Sequence, residues 1–280
     1  MVVSEDYSEQ KDTIEKYSLL WSKYYNNKPS EQYHFDCMQE VIPDKIIRGS
    51  VGIDIGCGCG WDVFNMARIN PSVKLIGMDI SDGVYVASKI NKNIKNTSII
   101  KGSADHIPLK NEVCDFVYSF GVLHHMPDYK KGLSEITRIL KKTSPCFLYL
   151  YEDHSENFIK YIFIKIISII RKATVKISPQ VIYILSVLLS PVMVVLFSYP
   201  ARVFKKFNFT YRLYENMPFN FGGSLFSLSG DLYDRFSTPI EHRFRPETLY
   251  KLFQEFGYYN VNIAKLKATA GWVVWGYKNR

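Results

Sequence analysis

The most informative part of the sequence is Val51-Gly52-Ile53-Asp54-Ile55-Gly56-Cys57-Gly58-Cys59-Gly60. Its first half is an apolar run typical of a buried parallel strand, its second half has glycine at alternate positions, and a helical pattern begins directly after it. Without side chains at the glycines the backbone can turn sharply, and a ligand can approach the carboxyl end of the strand beside a helix N-terminus. The stretch therefore predicts a ligand-binding turn between a strand and a helix.

A second signal lies nineteen residues after Gly60. Residues 73–79 have the pattern of another buried strand, and this strand ends in Asp79, whose carboxylate can accept hydrogen bonds from both hydroxyls of a ribose. The glycine turn and this acid together predict an adenosine pocket. The spacing disfavours a dinucleotide, because glycines at 56, 58 and 60 followed by Trp61 depart from the G-x-G-x-x-G that holds a pyrophosphate. Asp54 would also repel phosphates, whereas it suits a sulfonium or an amino group.

These residues resemble motif I and the ribose-binding acid of class I S-adenosylmethionine-dependent methyltransferases, in the methyltransferase type 11 group that includes ubiquinone and menaquinone methyltransferases. The resemblance covers about 45–152 and 244–278. It implies an α/β fold with a Rossmann-like, seven-stranded sheet and helices on both faces, and S-adenosyl-L-methionine as the cofactor. At the ends of the first two strands it implies these cofactor-binding residues: Asp54, Gly56, Cys57, Gly58, Gly60, Asp79 and Ile80.

Two later turns are expected to complete the cofactor pocket, because ligands of such sheets collect at the carboxyl ends of the strands. Ser103, Ala104 and Asp105 match the turn that contacts adenine in the family, and the Asp105 carboxylate can accept from the exocyclic amine. The alternative is a tight turn held by an Asx hydrogen bond. By the same resemblance, the backbone near Phe120 and Gly121 is expected to hold the methionine moiety.

Two adjacent histidines, His124 and His125, follow the fourth predicted strand. A histidine titrates in the range that suits a general base, so either residue is a candidate to deprotonate a methyl acceptor. A structural or cofactor-positioning role is the alternative. No further ligands stand at a suitable spacing around the pair, so a metal is not predicted.

The alternation of β and α patterns over residues 51–151 predicts parallel strands with right-handed crossovers, and residues 258–267 and 271–277 predict an antiparallel pair that closes the sheet. We accordingly expect an N-terminal helical segment over 1–48, a cofactor-binding core over 49–154, an insertion over 155–243 and a C-terminal completion of the sheet over 244–280. An aromatic stripe in the N-terminal segment is expected to belong to the core; it comprises Tyr17, Trp21, Tyr24, Tyr25 and Tyr33.

Residues 157–214 of the insertion carry the whole positive excess of the chain, whose net charge is +8. Between Asn157 and Tyr214 there are nine basic residues and no acidic one. Residues 159–170 place isoleucines on one helical face and lysines on the other, and residues 181–201 contain no charge. Pro191 predicts a broken or re-entrant helix pair in that apolar run. The pattern favours contact of residues 157–206 with a membrane surface; an apolar cap over the active site and a true membrane span are the alternatives.

The segment that follows, residues 232–245, is dense in aromatic and charged side chains. Tyr233, Asp234, Arg235 and His242 are candidates to contact polar groups of the acceptor. The alternative is an ion-paired loop with a structural role.

Taken together, the sequence predicts methyl transfer from S-adenosylmethionine to a small, hydrophobic or lipid-linked acceptor. A soluble small-molecule acceptor, or a non-catalytic S-adenosylmethionine-binding module, is the alternative. Nucleic acid is not an expected partner, because Ser119-Phe120-Gly121-Val122 replaces the Asn/Asp-Pro-Pro-aromatic turn of enzymes that methylate base amines. The acidic, polar start and five cysteines without a disulfide spacing predict a cytoplasmic location. The basic, apolar insertion predicts a peripheral position on the inner face of the membrane.

Overall fold

The computed structural model describes residues 5–23, 33–210, 213–214, 225–266 and 270–280. The chain divides into two compact units: the first comprises Met1–Asp153 and Ile240–Arg280, and the second comprises His154–Pro239. The second unit thus begins one residue before the start of the predicted insertion, at 155, and ends four residues before its end, at 243. Of the predicted aromatic stripe, Tyr24 and Tyr25 lie outside the described residues.

The first unit is built on a seven-stranded sheet, as the sequence predicts. In chain order the strands are β1 (Val51–Ile55), β2 (Lys74–Asp79), β3 (Thr97–Lys101), β4 (Phe116–Phe120), β5 (Pro145–Tyr151), β6 (Tyr258–Lys265) and β7 (Gly271–Lys278). Their order across the sheet is β3-β2-β1-β4-β5-β7-β6. The first five strands are parallel, whereas β7 runs antiparallel to both β5 and β6. The Rossmann-like fold class and the closing antiparallel pair are therefore confirmed.

Helices cover both faces of this sheet. They are α1 (Glu5–Lys23), α2 (Tyr33–Val41), α3 (Trp61–Ile69), α4 (Gly83–Asn91), α5 (Tyr129–Ile139) and, after the second unit, α10 (Pro246–Glu255). Alternate residues of one strand serve the two cores: Val117 packs in the core that contains Ile136 of α5, and Tyr118 packs in the core that contains Met38 of α2. All four side chains are completely buried. Burial on both faces explains why the central strands β1, β4 and β5 are largely apolar.

The second unit is helical. Its described helices are α6 (Phe158–Thr174), α7 (Pro179–Met193), α8 (Tyr199–Phe204) and α9 (Leu225–Ser237), and α9 packs against both α6 and α7. A π-helical turn, Val194–Ser198, joins α7 to α8, so that the helix is continuous over Pro179–Phe204.

The predicted helix break at Pro191 is wrong. A proline inside a helix leaves the carbonyl four residues earlier without its N–H donor, and here that carbonyl belongs to Val187. The hydroxyl of Ser190 donates to the Val187 carbonyl oxygen over 2.9 Å and replaces the missing bond. The local chemistry thus allows the helix to continue.

Candidate functional site

A cavity of about 730 Å³, part of it open to solvent, lies at the carboxyl ends of the parallel strands of the first unit. Eight of the predicted site residues line it: Gly56, Asp79, Ile80, Ser103, Ala104, Phe120, Gly121 and His125. These residues come from four separate loops of the chain. They meet because parallel strands deliver their carboxyl ends to one edge of the sheet.

The glycine turn after β1 is required by close packing as well as by its backbone angles. Gly56 and Gly60 have φ angles of 76° and 80°, in the left-handed region that side chains disfavour. A Cβ atom on Gly56 would lie 2.0 Å from Cγ2 of Val122, and one on Gly60 would lie 2.6 Å from Cβ of Ala87. Gly56 therefore shapes the cavity wall, whereas Gly60 allows α3 and α4 to approach each other.

Asp79 joins the glycine turn to the end of β2. Its carboxylate accepts hydrogen bonds from the backbone N–H of Gly58 (2.8 Å), the backbone N–H of Ser81 (2.8 Å) and the hydroxyl of Ser81 (2.6 Å). Burial raises the pKa of Asp79, and the hydrogen bonds from Ser81 and Gly58 oppose that rise. A carboxylate offers about four acceptor sites, so the oxygens on the cavity wall retain capacity for a ligand hydroxyl. This arrangement fits a ribose.

Asp54 is buried in β1, next to the cavity-lining residues Ile55 and Gly56. Burial raises its pKa well above the ordinary carboxyl value, and the neighbouring carboxylates of Asp62 and Asp79 raise it further. A positive charge brought close to Asp54 would favour its ionised form. The acidic environment behind the cavity therefore suits a cationic ligand and opposes a phosphate.

Other predicted cofactor residues stand outside the cavity lining. Cys57 packs in the core beside α3, and burial raises the pKa of its thiol well above the ordinary value. Asp105 is partly exposed, and its carboxylate lies 3.8 Å from Nζ of Lys131. In the described structure Cys57 packs against protein and Asp105 pairs with a lysine.

The two histidines are placed differently, although they are adjacent in sequence. Nδ1 of His125 lies 2.8 Å from the carbonyl oxygen of Ile240. Because a carbonyl oxygen only accepts, Nδ1 is the donor in this contact, and Nε2 is then the basic nitrogen of the neutral ring. His125 also lines the cavity, where its ring centroid is 5.6 Å from that of Tyr17. Its geometry suits a group that receives a proton.

His124 is completely buried and belongs to an aromatic cluster. Its ring stacks on Tyr151 with the centroids 3.9 Å apart, and neither ring nitrogen has a hydrogen-bond partner among the residues that the structure describes. Burial lowers the pKa of His124 well below the ordinary value, and the nearby His125 and Arg243 lower it further. His124 is therefore held as a neutral ring.

The predicted acceptor contacts fall in both units. His242 belongs to the first unit, where its backbone N–H donates to the carbonyl of His124 (2.8 Å) and its Nε2 lies 3.0 Å from the Met126 carbonyl oxygen. It thereby fixes the turn that carries the histidine pair. Tyr233, Asp234 and Arg235 lie on α9 in the second unit. Tyr233 is buried, and its ring packs edge-on against Tyr183 within that unit.

Helix α1 contributes cavity residues that the sequence did not identify. Thr13, Ile14, Tyr17 and Trp21 line one wall, and Trp21 lies so near the glycine turn that a Cβ atom on Gly58 would be 2.7 Å from its ring. The hydroxyl of Ser18 accepts from the backbone N–H of Asp82 and ties the helix to the loop after β2. The spacing of Tyr17 and Trp21 predicts that both side chains are buried, and they are therefore expected in the core.

No metal centre is formed within the described ranges, where no group of three or more His, Cys, Asp or Glu side chains is close enough to hold an ion. The polar side chains that line the cavity are those of Asp79, His125, Ser103 and Thr13. Such a set fits an adenosyl ligand.

Comparison with known proteins agrees with this site. A family described as a methyltransferase domain matches residues 53–148. A demethylmenaquinone methyltransferase from Staphylococcus carnosus is 32% identical over 120 residues, which are 41% of this chain and 49% of that protein. A tRNA (carboxymethyluridine(34)-5-O)-methyltransferase from Saccharomyces cerevisiae is 34% identical over 94 residues, 34% of this chain and 32% of that protein. The chain thus spans half or less of the length of these two relatives.

Among solved structures, an S-adenosylmethionine-dependent methyltransferase from Aquifex aeolicus has a similar fold, with a TM-score of 0.52. The match covers 92% of this chain and 97% of that one at 14% identity, so it concerns the fold alone. The matched family, the sheet order and the ribose-compatible Asp79 agree with one another. The chain therefore carries a methyltransferase domain over residues 53–148, and the geometry of the cavity fits S-adenosylmethionine as its cofactor.

Proposed function

We propose that the protein transfers a methyl group from S-adenosylmethionine to a small, hydrophobic or lipid-linked acceptor at the cytoplasmic face of a membrane. The observation that carries the acceptor class is the wall of the cavity, which is aromatic and apolar apart from Asp79, Ser103, Thr13 and His125. Phe120 on this wall stacks on Tyr149 with the ring centroids 4.1 Å apart. An apolar acceptor would be desolvated at such a wall at little cost.

The residues of this chain divide the work of binding and alignment. Asp79 would hold the ribose hydroxyls, the backbone at Gly121 would leave room for the amino-acid end, and Asp54 favours a nearby positive charge. When bound, the cofactor supplies an electrophilic methyl group on a sulfonium. Tyr17 and Trp21 of α1 close one side of the cavity and limit the access of water.

His125 is the proposed general base where the acceptor must lose a proton. Its Nδ1 contact with Ile240 leaves Nε2 as the proton acceptor, and a general base contributes about 10²–10⁴-fold to such a step. His124 would act through its packing against Tyr151 and His125. Its ring is held neutral and buried, so it positions the turn.

Two other observations support the hydrophobic acceptor and the membrane location. The relative from Staphylococcus carnosus is named for methyl transfer to demethylmenaquinone, whereas the yeast relative is named for a tRNA. In the present chain the basic residues of the second unit stand among exposed isoleucine, leucine and valine side chains. Phosphate-binding surfaces of nucleic-acid enzymes are polar, so this surface favours lipid over RNA.

The test is incubation of the full chain with S-adenosylmethionine labelled in its methyl group and with a fractionated extract of host cells. Label in the lipid fraction supports the proposal, and label only in the water-soluble fraction replaces the acceptor class by a soluble small molecule. Tight binding of S-adenosylhomocysteine with no label in any fraction would indicate a non-catalytic binding module. The Asp79→Asn variant is the control for transfer that does not depend on the cavity.

A further inference from the structure

Two helices of the second unit expose large apolar side chains, which is the reverse of the usual arrangement in a soluble protein. The most apolar 18-residue window of the helix Pro179–Phe204 has a mean hydropathy of 2.5, yet only 22% of that window is buried. In a soluble domain a helix this apolar belongs to the core and is largely covered. The exposure therefore needs a partner of matching polarity.

The buried and exposed positions of this helix carry the wrong residue types for water. Apart from Pro179 and Ile182, the side chains packed inside the unit are small or polar: Ser186, Ser190, Ser198 and Ala201. Most of the exposed positions are aliphatic: Val181, Ile184, Leu185, Val187, Leu188, Leu189, Val192, Val195, Leu196 and Val203. At about 100° per residue the exposed set spans roughly 200° of the circumference. Small residues between helices and large ones outside are the arrangement of helices in lipid.

Two buried serine hydroxyls of the helix are paired internally. The hydroxyl of Ser186 donates to the carbonyl of Ile182 over 2.8 Å, and that of Ser190 donates to the carbonyl of Val187 over 2.9 Å. Internal pairing of hydroxyls and of the carbonyl freed by a proline is what a hydrocarbon environment demands.

Helix α6 likewise exposes large apolar side chains. Ile164 is its one buried residue, and it lies on the side opposite the isoleucine face. That face is exposed to between 40% and 68% at Ile159, Ile162, Ile166, Ile169 and Ile170. Two helices of one unit thus present uncovered apolar faces.

Basic residues flank the uncharged run 181–201 of this helix at both ends, and none stands within the run. Lys172 and Lys176 precede the helix, Arg202 lies in its last turn directly after the run, and Lys205 and Lys206 follow the helix. Near anionic headgroups such residues are attracted to the surface. The charges therefore select an anionic bilayer over a neutral one.

The connectivity decides how the helix lies in the bilayer. At 1.5 Å per residue, 26 residues extend about 39 Å, which exceeds the hydrocarbon thickness of about 30 Å. Asp153 and Ile240 both belong to the first unit, so the segment must enter and leave on one side. The helix α9 has 13 residues, about 20 Å, and contains Asp231, Asp234 and Arg235, so it is unsuited to return across a membrane.

We propose that the helix Pro179–Phe204 and helix α6 lie within one leaflet of an anionic bilayer, with their exposed apolar faces among the acyl chains and the flanking lysines and arginines among the headgroups. This inference rests on the proposed membrane location and names the partner and the surface. The second unit thereby holds the chain where a hydrophobic acceptor is dissolved.

The test is partition of the full chain onto vesicles of phosphatidylcholine, with and without phosphatidylglycerol. Leu188→Lys, at a side chain 66% exposed, is compared with Tyr85→Lys, at a side chain 62% exposed on α4 of the first unit. Both variants add one positive charge to a surface position, so both should fold. We expect Leu188→Lys to lower the partition coefficient about tenfold or more and Tyr85→Lys to leave it unchanged or raised. An equal response of the two variants would overturn the proposal.

Two further experiments test separately the contribution of the basic residues to binding and the depth of the apolar helix in the bilayer. Replacing Lys205 and Lys206 by glutamine should lower partition about fivefold per charge on anionic vesicles and have little effect on neutral ones. All four native tryptophans belong to the first unit, so Leu188→Trp adds a reporter in the second. Lipids brominated in the acyl chains should quench this new fluorescence and leave a matched Tyr85→Trp signal unquenched. Absence of quenching at Leu188 would contradict burial in the leaflet.

These measurements need neither methyl donor nor acceptor, so they can fail independently of the proposed activity. A chain that stays in solution with every vesicle, yet methylates a detergent-dispersed lipid, would refute the bilayer partner and retain the methyl transfer. Self-association through the apolar faces without vesicle binding would assign the surface to a second copy of the chain, and it would equally refute the proposal.

Discussion

Replacement of Asp79 by asparagine tests the cofactor site most directly. The substitution keeps the shape of the side chain and removes the negative charge that the structure places on the cavity wall. Hydrogen bonds to a charged group contribute about 1.5–3 kcal/mol each, and an amide retains one neutral acceptor oxygen. We therefore expect affinity for S-adenosylhomocysteine to fall by about 1.5–3 kcal/mol, roughly 10- to 150-fold.

The effect on folding should be smaller than the effect on binding, because two contributions oppose each other. The amide NH₂ cannot accept from the N–H of Gly58 or from Ser81, which is destabilising. The substitution also removes a carboxylate whose pKa is raised by burial, which is stabilising where that group is ionised. Calorimetric titration gives the affinity, and thermal unfolding without ligand gives the stability. The control is Asp82→Asn, an exposed acid that pairs with Lys101 at 2.6 Å and should alter affinity by less than about twofold.

A ligand analogue makes the test specific for the ribose. An S-adenosylhomocysteine analogue without the 2′- and 3′-hydroxyls should bind the native protein and the Asp79→Asn variant with nearly equal affinity, because the interaction that the variant removes is then absent from both complexes. Unchanged affinity of the variant for the full ligand, or an equal loss with both ligands, would refute the ribose assignment.

Three further predictions follow from the same site. For Asp54→Asn, the cofactor-free protein should become more stable at neutral and higher pH. Because the native carboxyl has a raised pKa, the free energy of unfolding of the native protein falls as pH rises from about 3.8 through that raised value, and the amide abolishes this fall. Urea titrations across pH measure the free energy of unfolding of both proteins. For Gly60→Ala, the positive φ and the 2.6 Å approach to Ala87 should together cost about 2–5 kcal/mol of unfolding free energy, and a loss below about 1 kcal/mol in chemical denaturation would show that the turn relaxes. For His125→Ala, the methylation rate should fall about 10²–10⁴-fold with cofactor affinity retained. His124→Phe should preserve most of the rate, because the ring nitrogens of His124 have no hydrogen-bond partner in the described chain. An equal loss of rate for both variants in single-turnover assays would contradict the different roles of the two histidines.

The fold could be predicted because the central strands β1, β4 and β5 are buried on both faces and are therefore largely apolar. The edge strand β3 is partly exposed and contains Thr97, Ser98 and Lys101, so its prediction depends on the alternation of β and α patterns. Helix α7 shows the limit of local rules. Pro191 predicts a break, and the structure has none, because the hydroxyl of Ser190 replaces the lost hydrogen bond at the Val187 carbonyl. Such compensation depends on a rotamer and a neighbour, which a residue-by-residue rule does not include.

The candidate site could be predicted where a residue ends a strand and could not be predicted where a distant segment completes the cavity. Gly56, Asp79 and Gly121 end or follow strands, and all three line the cavity. Tyr17 and Trp21 reach it from α1, a helix that precedes the sheet in the chain. Their aromatic character signals burial but does not distinguish a core from a ligand cavity.

Residue order within short windows is sufficient to predict the parallel sheet, the glycine turn with Asp79 as its candidate ribose acid, and the concentration of basic residues between 157 and 214. The three-dimensional packing is needed to tell which of two adjacent histidines faces the cavity, since the carbonyl of Ile240 that fixes the His125 ring lies 115 residues farther along the chain. It also decided that the leucines and valines of the apolar helix point outward while its serines point inward. An amphipathic pattern states which residues share a face, but the packing of another helix selects the face that is covered.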